Sequence, residues 1–409
     1  MYRGTVDGSR SNERMNATPK NRRKRVGVIC DTPSIQLSAQ YDAIADLDEF
    51  EFHLLLRLPE HANPAWAARP PARVGFEYLE QLRVLPKRLR PFLNINVGAV
   101  LDRHDFDALI IHGIYDNAAV WQGIWWCQRR GRPYLLRCDA NIKKETDAAG
   151  RRLLQRAVSS RNTRGAGALL CIGTQNCKYY SYMGAQEHQM FMAPWEIDYA
   201  DLRAHLDIAS PKRGELRAAL GVEGRVVIGS IGRLYPLKGF QDAIAAVTRL
   251  ASEELPVTLL IAGDGPYRRR LEALAANAPA GAVQLLGHLT RDRVIEMLVS
   301  SDVFALCSHV EAWGLVVNEA ALAGLPLLTS DAVGACADLI VPERNGFVFP
   351  ARNRDRLYGF LREMVERQDL RASMGRASRE ILDNWRSRFP VKEGYRQALH
   401  HALESGNAH

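Results

Sequence analysis

Two glutamates, Glu311 and Glu319, frame the segment of this sequence with the clearest chemistry. A predicted strand over 303–307 precedes it, and a predicted helix begins near Gly314. The free N–H groups at a helix start bind anionic groups such as a diphosphate, and glycine lets a phosphate approach the backbone. A carboxylate in the loop can accept hydrogen bonds from sugar hydroxyls, and one a turn later from a ribose diol. By spacing alone, two solvated glutamates at an ordinary helix start are the more frequent explanation.

Two basic side chains, Arg233 and Lys238, share one predicted loop between a strand and a helix. Arginine offers a planar fork of donors and lysine a compact charge, and together they suit two adjacent phosphates. Gly232 opens this loop, and glycine turns follow the neighbouring predicted strands at Gly263 and Gly287. Each glycine turn alone is a weak signal.

The elements that must position these residues alternate between short apolar strands and helices. Continuous apolar strands between helices favour a parallel sheet that is covered on both faces. The predicted strands form a first series at 26–30, 52–56, 108–111, 134–137 and 168–172, and a second at 226–231, 258–262, 283–286, 303–307 and 326–329. Two such series predict an α/β protein with two Rossmann-like, doubly wound domains. Ligands of parallel sheets bind beyond the carboxyl ends of the strands, so a cleft between the two sheets is the expected site.

The length of 409 residues exceeds that of one common domain and agrees with two. The formal net charge is +8, but residues 1–25 hold eight basic and two acidic side chains. We predict a disordered basic leader over 1–25, which leaves a body that is nearly neutral. A neutral body does not indicate a nucleic-acid partner.

The seven cysteines are dispersed and contain no Cys-x-x-Cys pair, which predicts neither disulfides nor a zinc site and fits a reducing compartment. No early apolar run resembles a signal peptide, and no stretch approaches the ~18 uninterrupted apolar residues of a membrane span. We therefore expect a cytoplasmic protein.

Together and in this order, these segments resemble the retaining glycosyltransferases of family 4, in their bacterial polysaccharide-type branch. The resemblance covers about 226–350, and its most specific part is Glu311, seven residues, Glu319 and the run Ala-Ala-Leu-Ala-Gly-Leu-Pro. It implies the GT-B fold, in which two Rossmann-like domains face each other across a cleft and a C-terminal helix crosses back. Trp313 stands where the family more often has phenylalanine.

The resemblance also implies a domain organisation. After the leader, 26–205 would form an N-terminal acceptor domain and 206–388 a C-terminal nucleotide-sugar domain. The last segment, 389–409, would be a helix that returns to the N-terminal domain.

On the donor side, the resemblance implies that Glu311 holds the sugar hydroxyls and Glu319 the ribose. Arg233 and Lys238 would neutralise the departing diphosphate. The remaining donor-binding residues implied are Gly232, Gly263, Gly287, His288, Trp313, Gly314, Leu315 and Val316. Trp313 to Val316 would contribute their backbone to the diphosphate, and the nucleotide base would lie near Gly287 and His288.

The N-terminal half offers candidates for the acceptor side, each at or just after the end of a predicted strand: His112, Arg137, Asp139, Gly173 and Thr174. His112 is a catalytic candidate together with the two cations and Glu311, because it would approach the transferred sugar or the acceptor. A histidine that caps a helix is the alternative. Arg137 and Asp139 would either touch a ligand or pair with each other.

The activity implied is transfer of a hexose-type sugar, with retention, from a UDP- or GDP-linked donor to an acceptor hydroxyl. Cations and helix N–H groups can stabilise a leaving diphosphate, so no metal and no cofactor is expected. The expected acceptor is a lipid-linked exopolysaccharide or lipopolysaccharide precursor, and a small natural product is the alternative. A nucleotide-sugar epimerase with the same fold and a non-enzymatic carbohydrate-binding protein stay open as other classes.

Residues 81–92 interleave cationic and apolar side chains, which is a pattern that anionic membrane surfaces attract. A helix that packs its leucines inward explains the same pattern and is the more frequent case. With the basic leader, this segment suggests peripheral contact with the inner face of the cytoplasmic membrane.

Overall fold

The computed structural model describes residues 22–32, 34–57, 71–80, 94–114, 117–140 and 151–406. Most of the predicted leader and the whole of the segment 81–92 lie outside the described residues. No helix among the described residues is long and apolar enough to span a membrane.

The first sheet contains seven strands. They are β1 (Lys24–Cys30), β2 (Phe50–Leu56), β3 (Gly75–Tyr78), β4 (Ala108–His112), β5 (Tyr134–Arg137), β6 (Ala168–Cys171) and β7 (Met190–Met192), in the order β3-β2-β1-β4-β5-β6-β7. The helices between them are α1 (Ile35–Ile44), α2 (Val97–His104), α3 (Ala118–Arg130), α4 (Arg151–Arg164) and α5 (Thr174–Tyr182). Strand β1 pairs in parallel with β2 and β4, and Val28 lies opposite Leu54 and Ile110.

The second sheet contains six strands. They are β8 (Val226–Ile231), β9 (Val257–Ala262), β10 (Val283–Gly287), β11 (Val303–Leu306), β12 (Leu327–Ser330) and β13 (Gly346–Phe349), in the order β10-β9-β8-β11-β12-β13. The helices that follow β7 along the chain are α6 (Tyr199–Ala209), α7 (Arg213–Ala219), α8 (Phe240–Ser252), α9 (Arg268–Ala275), α10 (Arg291–Ser300), α11 (Leu315–Leu322), α12 (Cys336–Leu339), α13 (Arg354–Glu366), α14 (Gln368–Arg388) and α15 (Val391–Gly406). This is the doubly wound strand order, with its reversal between β8 and β11.

Alternate residues of β11 explain why the second sheet is buried on both faces. Val303 and Ala305 belong to one hydrophobic cluster, whereas Phe304 and Leu306 belong to another. Successive side chains of a strand point to opposite faces, so each face of the sheet carries its own core. The first cluster includes residues of α8 and α13, and the second includes residues of α6, α10, α11 and α14. The prediction of two Rossmann-like parallel sheets is therefore confirmed.

The described chain divides into two compact units. One contains β1 to β4 with α1 to α3, and the other contains β5 to β13 with α4 to α15 as far as Ala402. The predicted domain limits at residues 25, 205 and 388 do not follow this division and stay predictions. The limit between 205 and 206 falls inside α6, a helix that packs in the core of the second sheet through Leu202 and Leu206.

Candidate active site

The strand order of the second sheet reverses between β8 and β11, and ligands of such sheets bind in the crevice beyond that point. The loop after β8 carries Arg233 and Lys238, and the loop after β11 carries Glu311. Although these two loops are more than sixty residues apart in sequence, the topology places them side by side.

Lys238 and Glu311 form an ion pair, with side chains that are 21% and 17% exposed. The Ser308 hydroxyl also donates to Glu311, at 3.4 Å from its Oε2. Arg233 lies instead at the surface, with its guanidinium 5.5 Å from the centre of the Tyr235 ring. The structure therefore brings one of the two predicted cations into contact with the predicted sugar-binding carboxylate.

The predicted glycines of the donor side meet through their backbones at the strand ends. The N–H of Gly232 donates to Ala262 O over 3.0 Å, and the N–H of Gly263 donates to Gly287 O over 2.7 Å. His288 follows at an exposed position. The ends of β8, β9 and β10 thus lie together without large side chains between them.

The loop of Glu311 is held by the segment after β12. The N–H of Glu311 donates to Ala332 O, and its own carbonyl accepts from the N–H of Gly334, both over 3.2 Å. The N–H of Ala335 donates to Trp313 O over 3.0 Å. Because these bonds are all made by the backbone, they set the path of the loop whatever its side chains are.

Helix α11 begins after Gly314, which has φ +92°, and no side chain caps its first turn. Leu315 and Val316 are partly buried at the first two helical positions. The first N–H groups of a helix carry its partial positive charge, so this start is a suitable place for an anionic group.

The ring of Trp313 is core rather than binding surface. It is 4% exposed and stacks on Trp385 at 5.3 Å between ring centres. Its Nε1 donates to Asn318 over 2.9 Å, and Asn318 donates in turn to the Tyr199 hydroxyl over 2.9 Å. A ligand can meet only the backbone of Trp313, which is the role that the family resemblance implies for it.

Glu319 lies one turn inside α11 and is partly buried. Burial raises the pKa of Glu319 from its ordinary value near 4.5 to about 7, and Arg291 opposes that rise. The structure therefore places the predicted ribose-binding carboxylate where its protonation state changes near neutral pH.

A pH-dependent stability follows from this carboxyl group. The Glu319 carboxyl group binds a proton more tightly in the folded protein than in the unfolded chain. Its protonation therefore stabilises the folded state fully below pH 4.5, and this stabilisation is lost as the pH rises to about 7. Glutamine resembles the protonated carboxyl group, so we expect Glu319→Gln to leave the melting temperature unchanged at pH 5 and to raise it at pH 8. The rise should be ~2–4 °C for each kcal/mol gained in the free energy of unfolding. Thermal melts at both pH values measure this, with the exposed Glu215→Gln as the control. An equal shift at both pH values would contradict the prediction.

His112 belongs to the first unit and lies at the end of β4, where its Nε2 is 2.8 Å from the Tyr41 hydroxyl. The cap of the following helix, α3, is Asn117, whose side chain accepts from the Val120 N–H over 3.0 Å. The alternative of a helix-capping histidine is therefore wrong for α3. The catalytic role of His112 stays a prediction.

Arg137 and Asp139 meet at Trp195. Arg137 is 1% exposed, donates to Ala193 O over 2.6 Å, and lies 4.3 Å from the centre of the Trp195 ring and 5.7 Å from that of Tyr395. Asp139 accepts from Nε1 of Trp195 over 3.0 Å. Both side chains thus contact this tryptophan, and the guanidinium is an interior group rather than an open ligand contact.

Gly173 and Thr174, at the start of α5, contact Asp338 of α12. The Thr174 N–H donates to Oδ2 of Asp338 over 2.9 Å, and its hydroxyl donates to Oδ1 over 2.6 Å. Gly173 leaves room for the Trp313 ring, since a Cβ there would collide with that ring. Burial raises the pKa of Asp338, and the two bonds from Thr174 lower it. These two acceptor candidates therefore brace the segment that carries Trp313.

Sequence reasoning missed Asp338, which lies 164 residues from its partner. It also missed Asp242 and His309, which pair behind the Lys238 loop. The sequence feature that could have indicated them is an acidic residue in the first turn of a helix, Asp242 in α8 and Asp338 in α12. Such residues are common at helix starts and do not by themselves indicate a partner.

Among the described residues, one group of side chains has the proximity that a metal ion needs: His53, Glu77 and His104 of the first unit. Nε2 of His104 lies 2.6 Å from Glu77, and its Nδ1 lies 3.2 Å from the Arg25 guanidinium. Arginine can only donate, so the ring proton resides on Nε2 and points at Glu77. This arrangement favours a hydrogen-bonded cluster over a metal centre.

Comparison with known families finds a match in the C-terminal part of the chain. Residues 212–381 match the family Glycosyl transferases group 1. The chain is 33% identical over 153 residues to glycogen synthase of Mycobacterium tuberculosis, over 37% of each chain. It is 33% identical over 155 residues to 2-deoxystreptamine glucosyltransferase of Streptomyces kanamyceticus, over 38% of this chain and 40% of that one. A GDP-mannose-dependent α-(1-6)-phosphatidylinositol monomannoside mannosyltransferase of M. tuberculosis is 29% identical over 183 residues, over 42% and 47%. The chain thus spans less than half the length of these relatives.

A similar solved structure covers nearly the whole chain. HepE of Anabaena in complex with UDP superposes with a TM-score of 0.68 over 93% of this chain and 100% of that one, at 19% identity. At this identity the likeness concerns the fold. Residues 212–381 of this chain are thus similar to the glycosyl transferases group 1 family, and its two parallel sheets have the GT-B fold.

Proposed function

We propose that this protein is a glycosyltransferase that moves a hexose-type sugar from a nucleoside-diphosphate sugar to a hydroxyl of an acceptor. One observation carries the proposal: the ion pair of Lys238 and Glu311, next to the uncapped start of α11 and at the reversal of the strand order. The pair combines a cation suited to a phosphate with a carboxylate suited to sugar hydroxyls. The group 1 family domain over residues 212–381 supports the same class of reaction.

The proposed chemistry stabilises the leaving diphosphate. Negative charge grows on that group as the glycosidic bond stretches, and preorganised donors aimed at it lower the barrier. Lys238, Arg233 and the first N–H groups of α11 supply these donors, Glu311 holds the sugar hydroxyls, and Glu319 holds the ribose. The cations and the helix start perform this task without a metal ion.

We further propose that the anomeric configuration is retained. The acceptor hydroxyl attacks the face from which the diphosphate leaves, and the leaving phosphate takes the acceptor's proton. Proton NMR of the product measures the anomer directly. An inverted anomer, or a glycosyl group trapped covalently on a side chain, would exclude this route.

The donor is identified by a thermal-shift panel of UDP- and GDP-sugars on the full chain. A ligand at 100 times its Kd raises stability by about 2.7 kcal/mol, so the true donor stands out from the others. A second incubation without acceptor separates the classes, because an epimerase isomerises the sugar alone. If no nucleotide sugar binds, the proposal fails.

For the acceptor we propose a lipid-linked polysaccharide or lipopolysaccharide precursor. Similarity to a mannosyltransferase that is named for a phosphatidylinositol acceptor supports a lipid. Similarity to 2-deoxystreptamine glucosyltransferase favours a small natural product as the second candidate. Transfer of radiolabelled sugar to lipid-linked saccharides or to aminocyclitols distinguishes the two.

Peripheral contact with an anionic membrane, at the inner face of the cytoplasmic membrane, is part of the same proposal. On α3, Trp121 and Trp125 are 42% and 58% exposed, and the Arg129 guanidinium lies 5.3 Å from the Trp125 ring. Tryptophan and arginine side by side suit the interface between lipid head groups and acyl chains. Trp126, by contrast, is buried and donates to Asp102.

We expect vesicles rich in phosphatidylglycerol to bind the protein, and Trp121→Ala/Trp125→Ala to weaken that binding by ~10-fold or more, which corresponds to about 1.4 kcal/mol. Co-sedimentation measures this. Ile208→Ala, which removes another exposed apolar side chain, is the matched control. Unchanged binding of the double tryptophan variant would contradict a role of this surface.

A further inference from the structure

His309 and Asp242 form a buried polar pair behind the candidate site. Nε2 of His309 lies 2.6 Å from Oδ2 of Asp242, and the two side chains are 8% and 6% exposed. The other carboxylate oxygen of Asp242 accepts from Nε of Arg354 on α13, also over 2.6 Å. An ionised carboxylate only accepts, so both neighbours donate to it. Each carboxylate oxygen thus has a donor, as a buried charge requires.

The backbones of the same two residues bracket Lys238. The N–H of His309 donates to Leu237 O over 2.7 Å, directly before the lysine. The N–H of Asp242 donates to Gly239 O over 2.9 Å, directly after it. The turn that presents Lys238 is therefore tied on both sides to the pair.

His309 also stands two residues before Glu311, the partner of Lys238. The loop from His309 to Glu311 and the turn around Lys238 are consequently joined by two side-chain links, the ion pair and the bond between the two buried side chains, besides the backbone bond to Leu237 O. With both connections present, these stretches form a closed ring that includes both charged groups of the site. Breaking the bond of His309 opens the ring and leaves the ion pair as its remaining side-chain link.

We propose that His309 is a positioning residue that, through Asp242 and Arg354, holds the Lys238 turn against the Glu311 loop. This inference rests on the proposed function of that site and adds a residue to it. His309 touches no reacting atom in this scheme. It acts by keeping the cation and the carboxylate at their separation, and a displacement of ~1 Å in such a site can lower a rate by about 100-fold.

Two substitutions at one position test the bond itself. His309→Leu removes the donor and keeps an apolar side chain of similar size, whereas His309→Gln retains an N–H donor of similar reach. We expect His309→Leu to lower kcat for sugar transfer by about 10- to 100-fold with a smaller change in donor KM, and His309→Gln to stay within about threefold of the wild type. Adding Asp242→Ala to His309→Leu should lower kcat little more, because the bond through which Asp242 acts on His309 is already lost.

A second readout does not depend on activity. Hydrogen exchange of the full chain, followed on peptides that cover 305–316, reports whether the loop opens. We expect His309→Leu to accelerate exchange there by tenfold or more. Thr258→Val is the control, because it removes a buried hydrogen bond, from its hydroxyl to Gly281 O, at the other end of the sheet.

The outcomes separate the inference from the proposed function. If wild-type protein turns over no nucleotide sugar, the proposed function fails, and the exchange measurement still decides whether His309 holds the loop. If turnover is present but His309→Leu changes neither kcat nor exchange, the positioning role is overturned. Strictly additive effects of the His309 and Asp242 variants would overturn it as well.

Discussion

Lys238→Met is expected to lower kcat for sugar transfer by ~100- to 1,000-fold, with a much smaller change in donor KM. The lysine cation meets negative charge that grows on the departing diphosphate, so its contribution is larger in the transition state than in the bound donor. Methionine keeps most of the apolar stem and removes only the charge. Steady-state kinetics with the donor identified by thermal shift measure both constants.

A control is needed because the substitution also deprives Glu311 of its ion-pair partner, and that carboxylate is only 17% exposed. The double variant Lys238→Met/Glu311→Gln contains no unpaired carboxylate. If its kcat exceeds that of Lys238→Met alone, part of the loss in the single variant came from the unpaired Glu311. We expect no recovery. Lys212→Met, at an exposed lysine of the same unit, controls for loss of a positive charge elsewhere. A value of kcat within threefold of the wild type for Lys238→Met would contradict the proposed role of this cation in catalysis.

Gly239→Ala is expected to destabilise the protein by about 3–5 kcal/mol and to displace Lys238. Gly239 has φ +70°, a conformation that costs an L-residue with a Cβ about 1–2 kcal/mol. A Cβ at this position would also collide with the backbone oxygen of Cys307 at the end of β11. Because a backbone oxygen cannot rotate away, the turn itself must move.

Gly224→Ala separates these two effects. Gly224 has nearly the same backbone conformation, φ +69°, but a Cβ there would meet no atom within 4 Å. We expect this control to cost only the ~1–2 kcal/mol of the unfavourable φ. Melting temperatures of both variants measure the difference. Equal losses would show that the contact with Cys307 O does not limit the Lys238 turn.

Several elements of the fold were predictable because their signals are local. The predicted strands over 226–231 and 134–137 coincide with β8 and β5, and α3 ends at a glycine in the left-handed conformation. Short apolar runs and helix-ending glycines act over a few residues, so they are readable from the sequence. Strands β3, β7 and β13 were missed, because segments of three or four residues are too short to show an alternation.

The contacts within the candidate site depend on longer range. Lys238 and Arg233 were equivalent as sequence features, yet only Lys238 contacts Glu311, 73 residues away. Thr174 looked like a ligand contact, and its donors are instead directed at Asp338. Trp313 lies between the two most informative glutamates, and its ring is buried against Trp385. Which side chain faces a ligand and which faces the interior follows from packing.

The sequence by itself determined the alternation of strands and helices, the family resemblance and the positions of the chemical groups along the chain. These depend on residue type and on spacings of a few residues, over which the backbone obeys local rules. Only the tertiary structure decided that Lys238 pairs with Glu311, that Asp338 binds the start of α5, and that His309 and Asp242 close a ring around the lysine. Such pairs form because the doubly wound strand order brings distant loops together at the carboxyl ends of β8 and β11. Polar groups that are buried there are stable only where a donor meets an acceptor.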